Sequence, residues 1–174
     1  MIKEFEKRLI TSLILIPISI FFIIKGSFFF IFFLSILFLA TSYEWIKMNK
    51  KNDLLKLLGI IFLFISFYTT LEIRKNYNLN DFLLIITICI FTDIGGYLFG
   101  NIFKGPKLTR ISPKKTYSGV FGGFLLSLIS GLIFSNYFTV EQKIFNKDLF
   151  FLLIILFISM ISQIGDLIIS YFKR

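Results

Sequence analysis

Asp93 and Asp166 are the acids whose surroundings call for chemistry. Asp93 interrupts the stretch Phe82–Phe103 and Asp166 the stretch Leu149–Phe172, both otherwise free of charge. An acid inside an apolar spanning helix costs about 2.5–3.5 kcal/mol on membrane-insertion scales, so it faces the protein interior and serves there. Two services are open: binding or coupling a cation, or locking two helices through a protonated or hydrogen-bonded carboxyl. Ser159, Gln163, Asp166, Ser170 and Lys173 follow at intervals of four, three, four and three residues, so they share one helix face. Such a stripe suits the wall of an aqueous cavity, with Asp166 holding a hard cation and Ser170 and Lys173 further out meeting phosphate. It equally suits a polar seam between helices, with Lys173 and Arg174 snorkelling to the membrane surface.

A second set of candidates lies between Asn101 and Lys115, where five basic residues, no acid and two prolines (Pro106 and Pro113) occur. The segment Ser112-Pro113-Lys114-Lys115-Thr116-Tyr117-Ser118-Gly119 joins hydroxyls and paired lysines to a Gly-rich helix start, an arrangement that can cradle phosphate. Membrane topology alone also accounts for the positive charge of this loop. Neither the GxxxxGK[ST] nor the GxGxxG pattern occurs. The chain has no His, which removes the commonest general base and every His-ligated metal site. Any metal is therefore held by oxygen, which favours Mg²⁺ or a similar hard ion. The one cysteine, Cys89, lies in an apolar stretch and can form no disulfide framework within the chain.

The elements that must position these groups are membrane spans. Of 174 residues, 56% are hydrophobic and 25 are Phe, more apolar surface than a soluble domain of this size can hide. Charge-free or nearly charge-free stretches run over Leu9–Ile24, Gly26–Tyr43, Leu57–Leu71, Phe82–Phe103, Thr116–Val140 and Leu149–Phe172. A spanning helix needs roughly 20 apolar residues, and the shorter stretches extend into flanks whose lysines snorkel, such as Lys56. The expected fold is an all-α polytopic bundle of about six spanning helices, with residues 1–174 forming a single integral-membrane domain. Leu9–Ile24 is a retained helix, because no small-residue cleavage site follows it.

Basic residues alternate strongly between the two sides. The N-terminus, the second and fourth loops and the C-terminus carry 14 of them, against 5 on the other side. The positive-inside rule places both termini and the Asn101–Lys115 loop in the cytoplasm. The formal charge of +9 reflects those loops and anionic headgroups, and no nucleic-acid partner is expected. Gly119, Gly123, Ser127, Gly131 and Ser135 recur every fourth residue, as do Gly96 and Gly100, a spacing that lets helices approach closely in lipid. Gly95 and Gly96, just after Asp93, can also open the backbone to a ligand.

Taken together, three pieces resemble one family. They are Phe91-Thr92-Asp93-Ile94-Gly95-Gly96-Tyr97; then Ser112-Pro113-Lys114-Lys115-Thr116 with Gly119 and Gly122-Gly123; then Gly165-Asp166-Leu167 with Ser170, Lys173 and Arg174. With Glu44-Trp45 after the second span, their order is similar to that of phosphatidate cytidylyltransferases, the CDP-diacylglycerol synthases. Ser170-Tyr171-Phe172-Lys173-Arg174 matches the start of that family's signature. The Lys-Asp, His-Gly-Gly and Asp-Arg-x-Asp elements that follow in the family are not in this sequence, so the chain reads as a C-terminally shortened member.

The resemblance implies transfer of CMP from CTP to phosphatidic acid, with Mg²⁺ required and pyrophosphate released, in phospholipid biosynthesis at the cell (inner) membrane. It assigns Asp166 to metal and catalysis, with Asp93 as a polar contributor. Lys173, Arg174, Lys114 and Lys115 go to phosphate, and Ser112, Thr116 and Ser170 serve as hydroxyl donors. Membrane lipid is a further partner, and homodimerisation is left open. With one ligand of the expected metal cluster, the chain alone is expected to turn over little. Two other readings stay open: an inactive remnant or half-enzyme that binds lipid or nucleotide or needs a separate C-terminal piece, and a small ion-coupled transporter using Asp93 and Asp166.

Overall fold

The computed structural model describes residues 2–49, 52–108, 115–138 and 149–172, with side chains from Leu13 to Tyr171 within those stretches. Among the described residues six helices follow one another: α1 (Ile2–Lys25), α2 (Ser27–Met48), α3 (Asp53–Asn76), α4 (Leu79–Phe103), α5 (Tyr117–Tyr137) and α6 (Leu149–Phe172). Among the described residues the only extended pairing is an isolated antiparallel bridge between Lys107 and Thr116. The all-α expectation holds. Helices α2 to α6 are long and apolar enough to cross a membrane, whereas in α1 the apolar part described, Leu13–Lys25, is shorter. Helix ends overrun the charge-free stretches, as α2 does to Met48 and α3 from Asp53. Lipid offers no partner for a free N–H or C=O, so the backbone stays helical while Lys47 and Lys56 carry their charges outward. Helix α5 ends at Tyr137, with Phe138 turning to extended backbone; Val140, where the charge-free stretch ends, lies outside the described residues.

Burial is inverted relative to a water-soluble protein. Phe28, Phe62, Leu149 and many other large apolar side chains lie on the outside. Thr92, Ser127, Ser130 and Ser159 are buried. An apolar exterior with hydroxyls inside is what a hydrocarbon solvent selects.

Two compact units divide the chain at Asn76. In residues 1–76, α1 packs on α2 and α2 on α3. The α1–α2 turn needs left-handed backbone at Gly26 (φ 63°) and Ser27 (φ 49°), the first of which glycine adopts without strain. From the end of α3, Arg74 donates Nε–H and Nη2–H to the Ile23 carbonyl at 3.3 and 3.2 Å. That satisfies an acceptor which the end of α1 leaves open. Trp45 donates its indole N–H to the Leu55 carbonyl at 3.1 Å and lies directly over Gly59, where a Cβ has no room.

In residues 77–174, α4 and α5 form the most extensive helix pair, and α6 packs on both. Glycines make the close approach. A Cβ at Gly119 would stand 2.7 Å from the Gly96 carbonyl oxygen, Gly95 faces the Gly122 carbonyl, and Phe99 lies over Gly122. At these positions the small residues serve packing. Further along, Leu84 and Ile88 of α4 meet Phe151 and Ile155 of α6 in a fully buried cluster, flanked by Leu128 and Phe134 of α5. Gly131 makes room for Ile155. This apolar end anchors the three helices whose other end carries the polar residues.

Candidate functional site

Local hydrogen bonding holds the start of α5 in place. The two ends of the preceding loop are tied together, Leu108 N–H to the Lys115 carbonyl at 2.8 Å and Tyr117 N–H to the Pro106 carbonyl at 3.1 Å. Thr116 then caps α5, its Oγ1 accepting from Gly119 N–H at 3.1 Å and meeting the Ser118 hydroxyl at 3.0 Å. These ties set Lys115 against α6, where its ammonium donates to Asp166 Oδ2 at 3.1 Å and to the Gln163 carbonyl at 3.3 Å. Gln163 Nε2 donates to the Val120 carbonyl at 3.4 Å, closing α6 onto α5.

Between α4, α5 and α6 these contacts leave a cavity of about 220 Å³. Thr92, Asp93, Gly96 and Tyr97 line it from α4, Lys115 and Thr116 from just before α5, Gly119 and Val120 from its first turn, and Gln163 and Asp166 from α6. Asp93 is close enough to feel the charges of both Asp166 and Lys115. Two carboxylates, one ammonium and the Thr116 hydroxyl therefore share one small volume. The Lys115–Asp166 pair is only partly shielded, the side chains being 27% and 53% exposed, so it is free to exchange partners when a more highly charged group arrives.

The stripe on α6 divides into both of its readings. Ser159 is fully buried and meets the Thr92 hydroxyl at 2.9 Å, and Gln163 bridges to α5, so this part is a helix–helix seam. One turn further, Asp166 opens onto the cavity. Ser170 does not line the cavity, and its hydroxyl donates to the Leu167 carbonyl at 2.8 Å. Of the remaining candidates, Lys115, Thr116, Asp93 and Asp166 come together, while Ser112, Lys114, Lys173 and Arg174 lie outside the described residues. Thr92 and Tyr97, quoted in the stretch Phe91–Tyr97 but given no role, join the lining, as does Val120, which was not named. Tyr97 is four residues from Asp93 and shares its helix face, a signal that was available. Val120, an apolar residue in an apolar helix, carried none.

Among the described residues no three Asp, Glu, Cys or His side chains gather into a metal-binding cluster. The cavity nonetheless offers a donor set of carboxylate and hydroxyl oxygens, which fits one hard divalent cation and suits no soft metal. The ammonium of Lys115 against Asp166 shows that this corner of the cavity accepts positive charge.

In this helical protein, whose long apolar helices suit a membrane, carboxylates and a lysine converge on one cavity and can hold charged groups there. Residues 54–174 match the model of the cytidylyltransferase family. A phosphatidate cytidylyltransferase of Rickettsia bellii is 29% identical over 172 residues, covering 96% of this chain and 74% of the relative. Its counterpart in Rickettsia conorii is 30% identical over 174 residues with the same coverage. That of Staphylococcus epidermidis is 32% identical over 141 residues, 79% of this chain and 52% of the relative. No solved structure matches the chain at a significant level. The chain belongs to the cytidylyltransferase family.

Proposed function

We propose that this protein transfers CMP from CTP to phosphatidic acid, forming CDP-diacylglycerol and releasing pyrophosphate. The observation that carries the reading is the cavity in which Asp93, Lys115, Thr116 and Asp166 converge. These residues come from three separate stretches of sequence, each of which resembles a piece of the phosphatidate cytidylyltransferases. The names of the relatives point to the same reaction.

An oxygen of the lipid phosphate attacks the α-phosphorus of CTP in line, and the bond from that phosphorus to the pyrophosphate oxygen breaks. The phosphate is already anionic, so the step needs no general base, in keeping with a chain that lacks His. The work left to the protein is positioning and neutralisation of charge. Lys115 exchanges its contact with Asp166 for a phosphate oxygen, and Thr116 holds the start of α5 that presents this lysine. Asp166, with Asp93, would hold a divalent cation, for which we propose Mg²⁺, and that ion would supply neutralisation of phosphate charge. Ser112, Lys114, Lys173 and Arg174 complete the phosphate-binding set in this proposal, and Ser170, off the cavity and bonded to the Leu167 carbonyl, is not part of it. The 14-to-5 asymmetry of basic residues supports a multi-pass protein of the inner membrane with this cavity facing the cytoplasm, where CTP is found.

The test is release of pyrophosphate from CTP and phosphatidic acid with Mg²⁺ in detergent–lipid micelles. It is run on the chain alone and with the family's C-terminal signature segment supplied in trans. Release above that of Asp166→Asn is the expected result. Release no greater than that variant's in both arms refutes the proposal.

A further inference from the structure

Resting on the polar cavity as a phosphate site, the geometry points to the groove between α5 and α6 as the seat of one acyl chain of the phosphate-bearing lipid. The groove holds about 590 Å³ and is walled by Phe121, Phe124 and Leu128 of α5 and by Leu153, Phe157 and Met160 of α6. It lies next to the cavity along the same pair of helices. On α5, Phe124 stands one turn beyond the cavity residue Val120 and on the same face, and on α6 Met160 lies less than one turn from Gln163, again on the same face. The Gln163–Val120 hydrogen bond marks the boundary between the polar chamber and the apolar one. From there, Phe121 to Leu128 on α5 and Met160 back to Leu153 on α6 carry the walls onward for about 10 Å, seven steps of 1.5 Å. The far end closes where Leu128 packs on the Phe151–Ile155 cluster.

A lipid with an anionic head and an apolar tail needs two adjoining sites of opposite character, and here one pair of helices builds both. In a bilayer every outward groove is bathed in hydrocarbon, so an apolar lining alone selects nothing. Selection comes from the head: with its phosphate at Lys115, the tail of the same molecule is delivered to the chamber that begins one residue past Val120. A second apolar groove on this unit, between α4 and α5, is smaller at about 230 Å³. Its α5 wall starts only at Leu126, about 9 Å beyond Val120.

The experiment is photolabelling with phosphatidic acid carrying a diazirine in one acyl chain, in phosphatidylcholine vesicles containing the purified protein. Label is expected to concentrate on residues 121–128 and 153–160. It falls with excess unlabelled phosphatidic acid and not with the same excess of phosphatidylcholine. Leu156→Trp, which fills the groove, lowers that label several-fold, and Ile133→Trp in the α4–α5 groove does not. Even labelling of all outward helix faces, or equal competition by phosphatidylcholine, overturns the assignment, and the unsubstituted protein suffices to decide it. The readout needs no turnover, so the two proposals fail separately. Even labelling with Asp166-dependent pyrophosphate release intact removes the groove alone. Concentrated label without release in either arm removes the catalytic reading alone.

Discussion

Gly119→Ala is the perturbation whose consequence the geometry fixes most closely. The added methyl carbon would stand 2.7 Å from the Gly96 carbonyl oxygen, where ordinary contact begins at 3.4 Å, so α4 and α5 must part locally by about 0.7 Å. The opposing atom is backbone inside a helix and cannot swing away. Overpacking of this kind costs about 1–3 kcal/mol, set against a gain of up to about 1 kcal/mol from replacing a helical glycine by alanine. The net expectation is a loss of about 1–2 kcal/mol. The functional effect exceeds the stability effect, because the helices being parted carry opposite walls of the cavity, Asp93 on one and Lys115 with Thr116 at the start of the other. A displacement approaching 1 Å lowers a positioned reaction by on the order of 10- to 100-fold. Gly165→Ala is the comparison: no atom lies within 4 Å of its Cβ, so helix propensity acts alone and stability rises slightly. Thermal unfolding in detergent and pyrophosphate release are measured on both. If Gly119→Ala unfolds no earlier than the unsubstituted protein and keeps its activity, the backbone contact does not position the site.

Asp166→Asn should reduce pyrophosphate release by more than about 100-fold while shifting stability by less than about 1 kcal/mol, since its ion pair with Lys115 is partly exposed. A large stability loss in a thermal melt would mark the residue as structural instead. Thr116→Ala removes the acceptor for Gly119 N–H and should cost about 1 kcal/mol, whereas Thr116→Ser restores it; unfolding curves of the pair separate the cap from the methyl group. Arg74→Ala removes both donors to the Ile23 carbonyl and should destabilise residues 1–76 by about 1.5–3 kcal/mol, read as faster hydrogen exchange at the α1–α2 turn. Unchanged exchange there would mean the contact contributes nothing.

What the sequence determined by itself was whatever depends on local pattern. Charge-free runs of spanning length predict helices, because an unpaired peptide group in lipid is too costly for any alternative, and α2 to α6 follow. The 4-3-4-3 spacing put Ser159, Gln163 and Asp166 on one face of α6, and the four-residue spacing of glycines marked the α4–α5 contact, since both are properties of one helix. The tertiary structure decided which residues meet across helices. Periodicity could not tell a cavity wall from a seam on α6; the answer came from its neighbours, with Thr92 closing on Ser159 and Lys115 reaching Asp166. Nor could spacing bring Asp93 and Asp166 into one cavity, because inter-helix register in lipid is set by glycine contacts and a few polar bonds between residues far apart in the chain. The contact from Arg74 to Ile23, 51 residues away, and the apolar chamber beyond Gln163 were hidden for the same reason: each is made by two helices, and neither helix alone contains it.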